Sequence, residues 1–205
     1  VRLVTGSPPA AERVRILEAF IEVVAERGYK ETPLEAILVR SGIDEAGFHR
    51  HFTGMEDCFL AGWEYISADY LPTVLAAFES EEAWLDRMRA IGRAIIDYLH
   101  RYPDRGRFLF VEGASAGPRA RALLEQNVSA FVELLDLGRR ELDDPDSLSR
   151  ATAEGIAGAV NEQVSLHLIR GADAELAKLL PQLMFIVARP YLGLDAALEE
   201  LNRAT

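Results

Sequence analysis

Four prolines frame this chain. Pro33, Pro103, Pro118 and Pro145 each stand ahead of a segment with helical apolar spacing. They fall in the first turn, where a missing N–H costs nothing. No alternating β-branched run of useful length appears, and no Asn-Gly or Asp-Gly turn joins two such runs. The chain therefore reads as all-α, a small helix-turn-helix head followed by a larger helical body.

A first helix is expected over 11–27, where Leu17, Phe20, Ile21 and Val24 make an i, i+3, i+4, i+7 stripe closed by Gly28. Thr32-Pro33-Leu34-Glu35 has the pattern of a capping box and starts a short second helix that runs to about Arg40. Asp44 caps a third, to about Arg50, and a second capping box at Thr53-Gly54-Met55-Glu56 opens a helix over 55–71. Further helices are expected at 81–101, 103–113, 118–141, 147–170, 174–189 and 194–202. Pro72, Pro181 and Pro190 should kink or stop the segments that hold them. The organisation expected is a disordered tail at 1–9, a head at 10–54 and a body at 55–205.

Charge narrows the partners. The chain has 22 basic and 33 acidic residues, a net charge of −11. That excludes a chain-wide basic footprint for nucleic acid or an anionic membrane, though not a small local one. No stretch approaches the length of a membrane span, and the N-terminal residues have no apolar signal core. Cys58 is the only cysteine, so no internal disulfide can form. A cytoplasmic protein is the expectation, with no membrane partner.

Within the head, Ser41-Gly42-Ile43 separates two short helices in the manner of a helix-turn-helix. Gly42 supplies a residue tolerant of positive φ, and Ile43 an apolar plug. The run Arg15-Ile-Leu-Glu-Ala-Phe, Ala25-Glu-Arg-Gly-Tyr29, Ile37-x-x-Arg40-Ser-Gly-Ile43, Phe48-His-Arg-His-Phe52 and Glu56-Asp57 resembles the N-terminal domain of the tetracycline-repressor (TetR) family over about fifty residues. The resemblance implies a one-component transcriptional regulator: a homodimer that grips a palindromic double-stranded DNA operator and is released, as a repressor, by a small-molecule effector.

It also implies roles. Thr32 matches a phosphate contact at a helix N-terminus, and Asp44 to Arg50 match the helix that enters the major groove. The implied DNA-binding set is Thr32, Arg40, Asp44, Glu45, Gly47, His49, Arg50 and His51, with Arg50 suited to a base or a phosphate. Phe48 and Phe52 read as core pegs. The sequence departs from the family where Glu45 replaces a basic residue, Gly47 a threonine, Met55 a lysine and Leu38 a small alanine. Those changes imply weak non-specific binding with a shallow salt slope. The alternative is a dimeric helical protein that binds a small molecule or partner and has lost specific DNA binding.

In the body, the segment 147–170 is rich in small residues (Ala151, Gly155, Ala157, Gly158, Ala159), which permits close helix contact. By pattern alone it and 174–189 equally fill a monomer core, and the resemblance implies that they are the dimerisation pair. Candidate ligand-binding residues are Trp63, Tyr70, Met88, Phe110, Glu112, Phe131, Asn161 and His167, and the aromatics read equally as plain core. An effector of hydrophobic character follows from that set.

An enzyme is not expected, nor a cofactor or metal. The four histidines are His49, His51, His100 and His167, and only Asp97-Tyr-Leu-His100 has carboxylate–histidine spacing, without a second copy. No phosphate loop, nucleophile elbow or dinucleotide fingerprint is present. Cys58 follows Glu56 and Asp57, whose charges should raise its pKa.

Overall fold

A computed structural model describes residues 9–171 and 175–203. Among them stand nine α-helices and no strand: α1 (Pro9–Arg27), α2 (Leu34–Ser41), α3 (Glu45–His51), α4 (Met55–Glu79), α5 (Trp84–Arg101), α6 (Pro103–Phe110), α7 (Pro118–Asp136), α8 (Arg150–Ile169) and α9 (Leu176–Asn202). The tail expected at 1–9 lies outside the described residues, apart from Pro9, which opens α1.

The turn of the helix-turn-helix forms as its residues require. Gly42 takes the left-handed conformation, φ 67° and ψ 27°, and its N–H donates to the Leu38 carbonyl. An L side chain there would be strained. Ile43 is then buried as the plug, and the Asp44 carboxylate accepts the Gly47 N–H at 2.7 Å, capping α3.

Both expected capping boxes are rearranged. Thr32 does not cap α2, because its hydroxyl donates back to the Gly28 carbonyl at 2.8 Å and Pro33 takes the cap position. Ahead of α4 the reciprocal partner of Thr53 is Asp57, not Glu56: the Thr53 N–H and hydroxyl both donate to Asp57 Oδ2. Glu56 is thereby released to accept the Arg119 N–H at the start of α7. This suits a carboxylate at the positive end of a helix.

Three proline expectations need correction. Pro72 does not end α4, which continues to Glu79. Its ring deprives only Ala68 of a partner, and Ala68 is exposed, so water can serve that carbonyl. Val74 and Phe78 beyond it still pack on the core. Pro145 opens a short 3-10 turn, and α8 begins at Arg150 behind Ser149 as cap. Pro190 does not itself end α9: the break falls three residues later at Gly193 (φ 84°), between the segments expected at 174–189 and 194–202. The buried row Leu180, Met184, Val187 and Tyr191 runs past both prolines and holds the helix together.

Two hydrophobic clusters result. The first joins α1 to α4 with α6 and the start of α7, through Ile16, Phe20, Phe48, Phe59 and Phe108. Phe59 stacks on Phe108 with ring centres 4.3 Å apart, and Phe20 stands edge-on to both. The second fills the body with Trp84, Ile91, Leu135, Leu168 and Met184. Phe110 touches both. The core thus runs across residue 54 without a seam.

Candidate nucleic-acid interface and ligand cavity

Helix α3 presents Asp44, Glu45, Ala46, His49 and Arg50 to solvent, while Gly47, Phe48 and Phe52 face inward. Phe48 and Phe52 are pegs in the first cluster, as their spacing implies. Gly47 is not an open contact position. It is buried, its N–H is taken by Asp44, and a Cβ there would collide with Ile43 Cγ2 and sit 3.0 Å from Asp44 Oδ1. Its small size serves the close approach of α3 to the turn. Thr32 is likewise buried, with its hydroxyl spent on Gly28.

Arg40, Arg50 and His51 are engaged by carboxylates of the head itself. Arg40 reaches back to α1, donating to Glu22 at 2.8 Å and to both oxygens of Glu26 at 2.9 and 3.0 Å. Arg50 donates through Nη2 to both oxygens of Glu12, and His51 Nε2 lies 3.1 Å from Glu12 Oε2. The Glu12 carboxyl is held below the usual carboxylate range by the hydrogen bonds of His51 first and Arg50 second. His49 faces Glu45 across one turn at 3.9 Å. Sequence reasoning missed Glu12, Glu22 and Glu26, since helical periodicity reports which face is buried and not which distant charge it meets.

A cavity of about 50 Å3 lies in the body between α5, α7, α8 and α9. Of the eight candidate ligand residues only Met88 and Phe131 line it, together with Ile96, Val164, Leu183 and Met184. All its lining residues are apolar. Trp63 instead packs beneath Gly113 in the first cluster, and Tyr70 sets its ring edge-on to Tyr98 at 5.0 Å. The Phe110 carbonyl accepts the Ser165 hydroxyl. Asn161 and His167 sit half-buried on α8, with His167 Nδ1 2.9 Å from the Gln163 carbonyl.

Glu112 has a different partner from the one expected. It is buried and accepts the Tyr29 N–H at 2.8 Å, tying the segment after α6 to the end of α1. Arg107 of α6 makes a parallel tie, donating through Nε to the Ala25 carbonyl at 2.9 Å and through Nη1 to the Leu168 carbonyl at 2.8 Å. One guanidinium therefore serves the last turns of both α1 and α8, where the carbonyl ends of the helices carry partial negative charge. Cys58 is fully buried, and burial, more than Asp57, pushes its thiol up. An unreactive thiol follows.

A family model described as bacterial regulatory proteins, tetR family, matches residues 16–61, the span that holds the turn and α3. Over that span the head is similar to the tetR family. Solved structures of regulators extend the likeness in fold over the body. A TetR-family transcriptional regulator from Streptomyces coelicolor superposes with a TM-score of 0.71 at 20% identity, covering 91% of this chain and 97% of that one. The regulator FadR from Bacillus subtilis, in complex with stearoyl-CoA, gives 0.73 at 15% identity over 86% and 97%. By sequence, the nucleoid occlusion factor SlmA of Haemophilus influenzae is 24% identical over 173 residues, 81% of this chain and 74% of the relative. At these identities the solved structures speak for the fold alone.

Proposed function

We propose that this chain is a tetR-family regulator, a cytoplasmic repressor that holds a palindromic double-stranded DNA operator as a homodimer. A small hydrophobic effector releases it. The observation that carries this reading is the turn at Gly42, which presents His49 and Arg50 outward from a short, firmly pegged α3. Arg50 is the base or phosphate reader, with His49 and His51 beside it. Dimerisation uses the segments 147–170 and 174–189, which hold α8 and the first half of α9. Gly155, Gly158 and Ala159 lie exposed on α8, with open space where a Cβ at either glycine would point, and Ile169 is 53% exposed.

The test is selection of bound sequences from a random duplex pool at low and at physiological salt. An enriched palindrome is the expected result. On that operator, Arg50→Ala weakens binding by about 1–3 kcal/mol, measured by fluorescence anisotropy. Undiminished affinity in this variant removes Arg50 as the reader.

The effector reading rests on the apolar cavity. At about 50 Å3 it has room for little more than a water molecule, so an effector has to spread α5, α8 and α9 to enter. A slim, unbranched hydrocarbon chain fits such a lining, and the likeness to an acyl-CoA-bound regulator makes long-chain acyl compounds the first probes. At a free concentration a hundred times its Kd, a true effector raises stability by about 2.7 kcal/mol, or about 5–10 °C in Tm. It also lowers operator affinity. Heat stabilisation without operator release would make the compound a bystander.

One observation favours a second reading, an effector-binding dimer without specific DNA affinity. Glu45 stands 72% exposed at the front of α3, and Arg40, Arg50 and His51 are already matched by carboxylates. No enrichment at either salt, from folded and dimeric protein, selects this reading.

A further inference from the structure

The DNA-reading face of the head has an occupant of its own. Glu12, in the first turn of α1, lies 38 residues from Arg50 in sequence, and its two oxygens take Arg50 Nη2 at 3.0 and 3.1 Å. The same carboxylate meets His51 Nε2. Glu12 and His51 are largely covered, at 20% and 13% side-chain exposure, whereas Arg50 is 57% exposed. A carboxylate therefore sits between two potential cations at the C-terminal end of the recognition helix, with one of them open to solvent.

Guanidinium recognises a phosphate or a guanine through two parallel N–H groups. Both fork geometries of Arg50, end-on through the two Nη atoms and side-on through Nε with Nη2, draw on the nitrogen that Glu12 engages. We propose that Glu12 acts as an internal stand-in for a DNA phosphate, occupying Arg50 in the free protein and yielding it to the incoming polyanion. It sets the affinity and salt dependence of the head while reading no base. This rests on the DNA-binding function proposed above and adds its regulator.

Neighbouring charges fit that assignment. His49 on the same helix is matched by Glu45, Arg40 on α2 by Glu22 and Glu26, and Arg13 on α1 lies over the Phe52 ring at 5.5 Å. Since the head holds more acidic than basic residues, releasing one guanidinium changes its local balance appreciably. The Glu12 carboxyl is depressed below its ordinary range, so it stays ionised wherever DNA binding is measured.

The experiment compares the full chain with Glu12→Gln, in Arg50 and Arg50→Ala backgrounds, on two probes: the selected operator duplex and inorganic polyphosphate. Affinity is read by anisotropy or competition across a salt series. Glu12→Gln is expected to bind both probes about 3- to 10-fold more tightly. Its log–log salt slope on duplex steepens by up to about 0.9, because the head then meets the phosphates with one more uncompensated positive charge. The gain disappears with Arg50→Ala. A merely structural role for Glu12 would leave the slope unchanged or weaken binding, and either result on both probes overturns the proposal. A gain on polyphosphate with no operator bound by any variant keeps Glu12 as the stand-in and removes the DNA reading instead. If Glu12→Gln does not fold by circular dichroism, Glu12→Ala is judged by the same criteria.

Discussion

Replacing Glu200 by alanine lowers the unfolding free energy by about 3–5 kcal/mol, the largest single effect expected for a polar position in this chain. Glu200, beyond the break in α9, pairs with Arg89 of α5, and both side chains are only 4% exposed. Burial holds the Arg89 guanidinium below its ordinary range, with the nearby cations Arg203 and Arg93 adding to the effect. Arg203 ties the outer oxygen of Glu200 to Asp86 at 3.2 Å on each side, so the pair is the inner rung of a short ladder. Removing Glu200 strands a cation where water does not reach.

Urea unfolding with unchanged m-value is the measurement, and heat unfolding should fall by about 10 °C. The double replacement Arg89→Met with Glu200→Leu recovers most of the loss, since a buried pair is worth little against apolar packing of similar volume. A loss under 1 kcal/mol for Glu200→Ala would mean that Arg89 remains solvated in solution.

The second large effect is expected at Phe108. Its ring is fully buried on α6, stacks on Phe59 of α4 and lies against Phe20 of α1. Phe108→Ala removes the aromatic that joins these three helices and costs about 3–5 kcal/mol by equilibrium unfolding. Its Cζ also lies 3.0 Å from the Cβ position of Gly62, so the neighbouring backbone has closed around the ring. That fit limits how far the site collapses after truncation, which places the cost toward the upper end. Faster amide exchange at the end of α1 should accompany it, because α6 no longer braces that turn. Ordinary exchange there, together with the full loss of stability, would show that α1 is held by Arg107 and Glu112 alone.

What could be read from the sequence was local. Gly42, Ile43 and Asp44 specify their turn within three residues, and the patterns place the helix starts to within three positions, though α4 runs eight residues past its expected end and the segments expected at 174–189 and 194–202 fall in one element kinked at Gly193. Chain-distant pairing was not legible: Glu12 with Arg50, Arg89 with Glu200 and Arg107 with the Leu168 carbonyl each join residues that no periodic pattern relates. Local patterns also misled where two partners competed. Thr32 has the spacing of a cap, yet Gly28 offers its hydroxyl a nearer carbonyl. Gly47 reads as a lost contact, whereas the structure gives it a packing reason under Ile43. Of the ligand candidates, Met88 and Phe131 reach the cavity because they lie on α5 and α7 faces that meet α8 and α9. Trp63 and Tyr70 have the same apolar character but serve other junctions.

The double tie of Arg107 has a consequence for how this chain can change length. Each residue of an α-helix turns its side chain by about 100°, so one residue gained or lost between Pro103 and Arg107 swings the guanidinium off both carbonyls. The connection from Leu142 to Ser149 carries no such angular constraint: it joins α7 to α8 through exposed turns. Insertions and deletions in relatives that keep these ties should therefore gather at that connection, while the spacing from the Tyr102 corner to Arg107 stays fixed residue for residue.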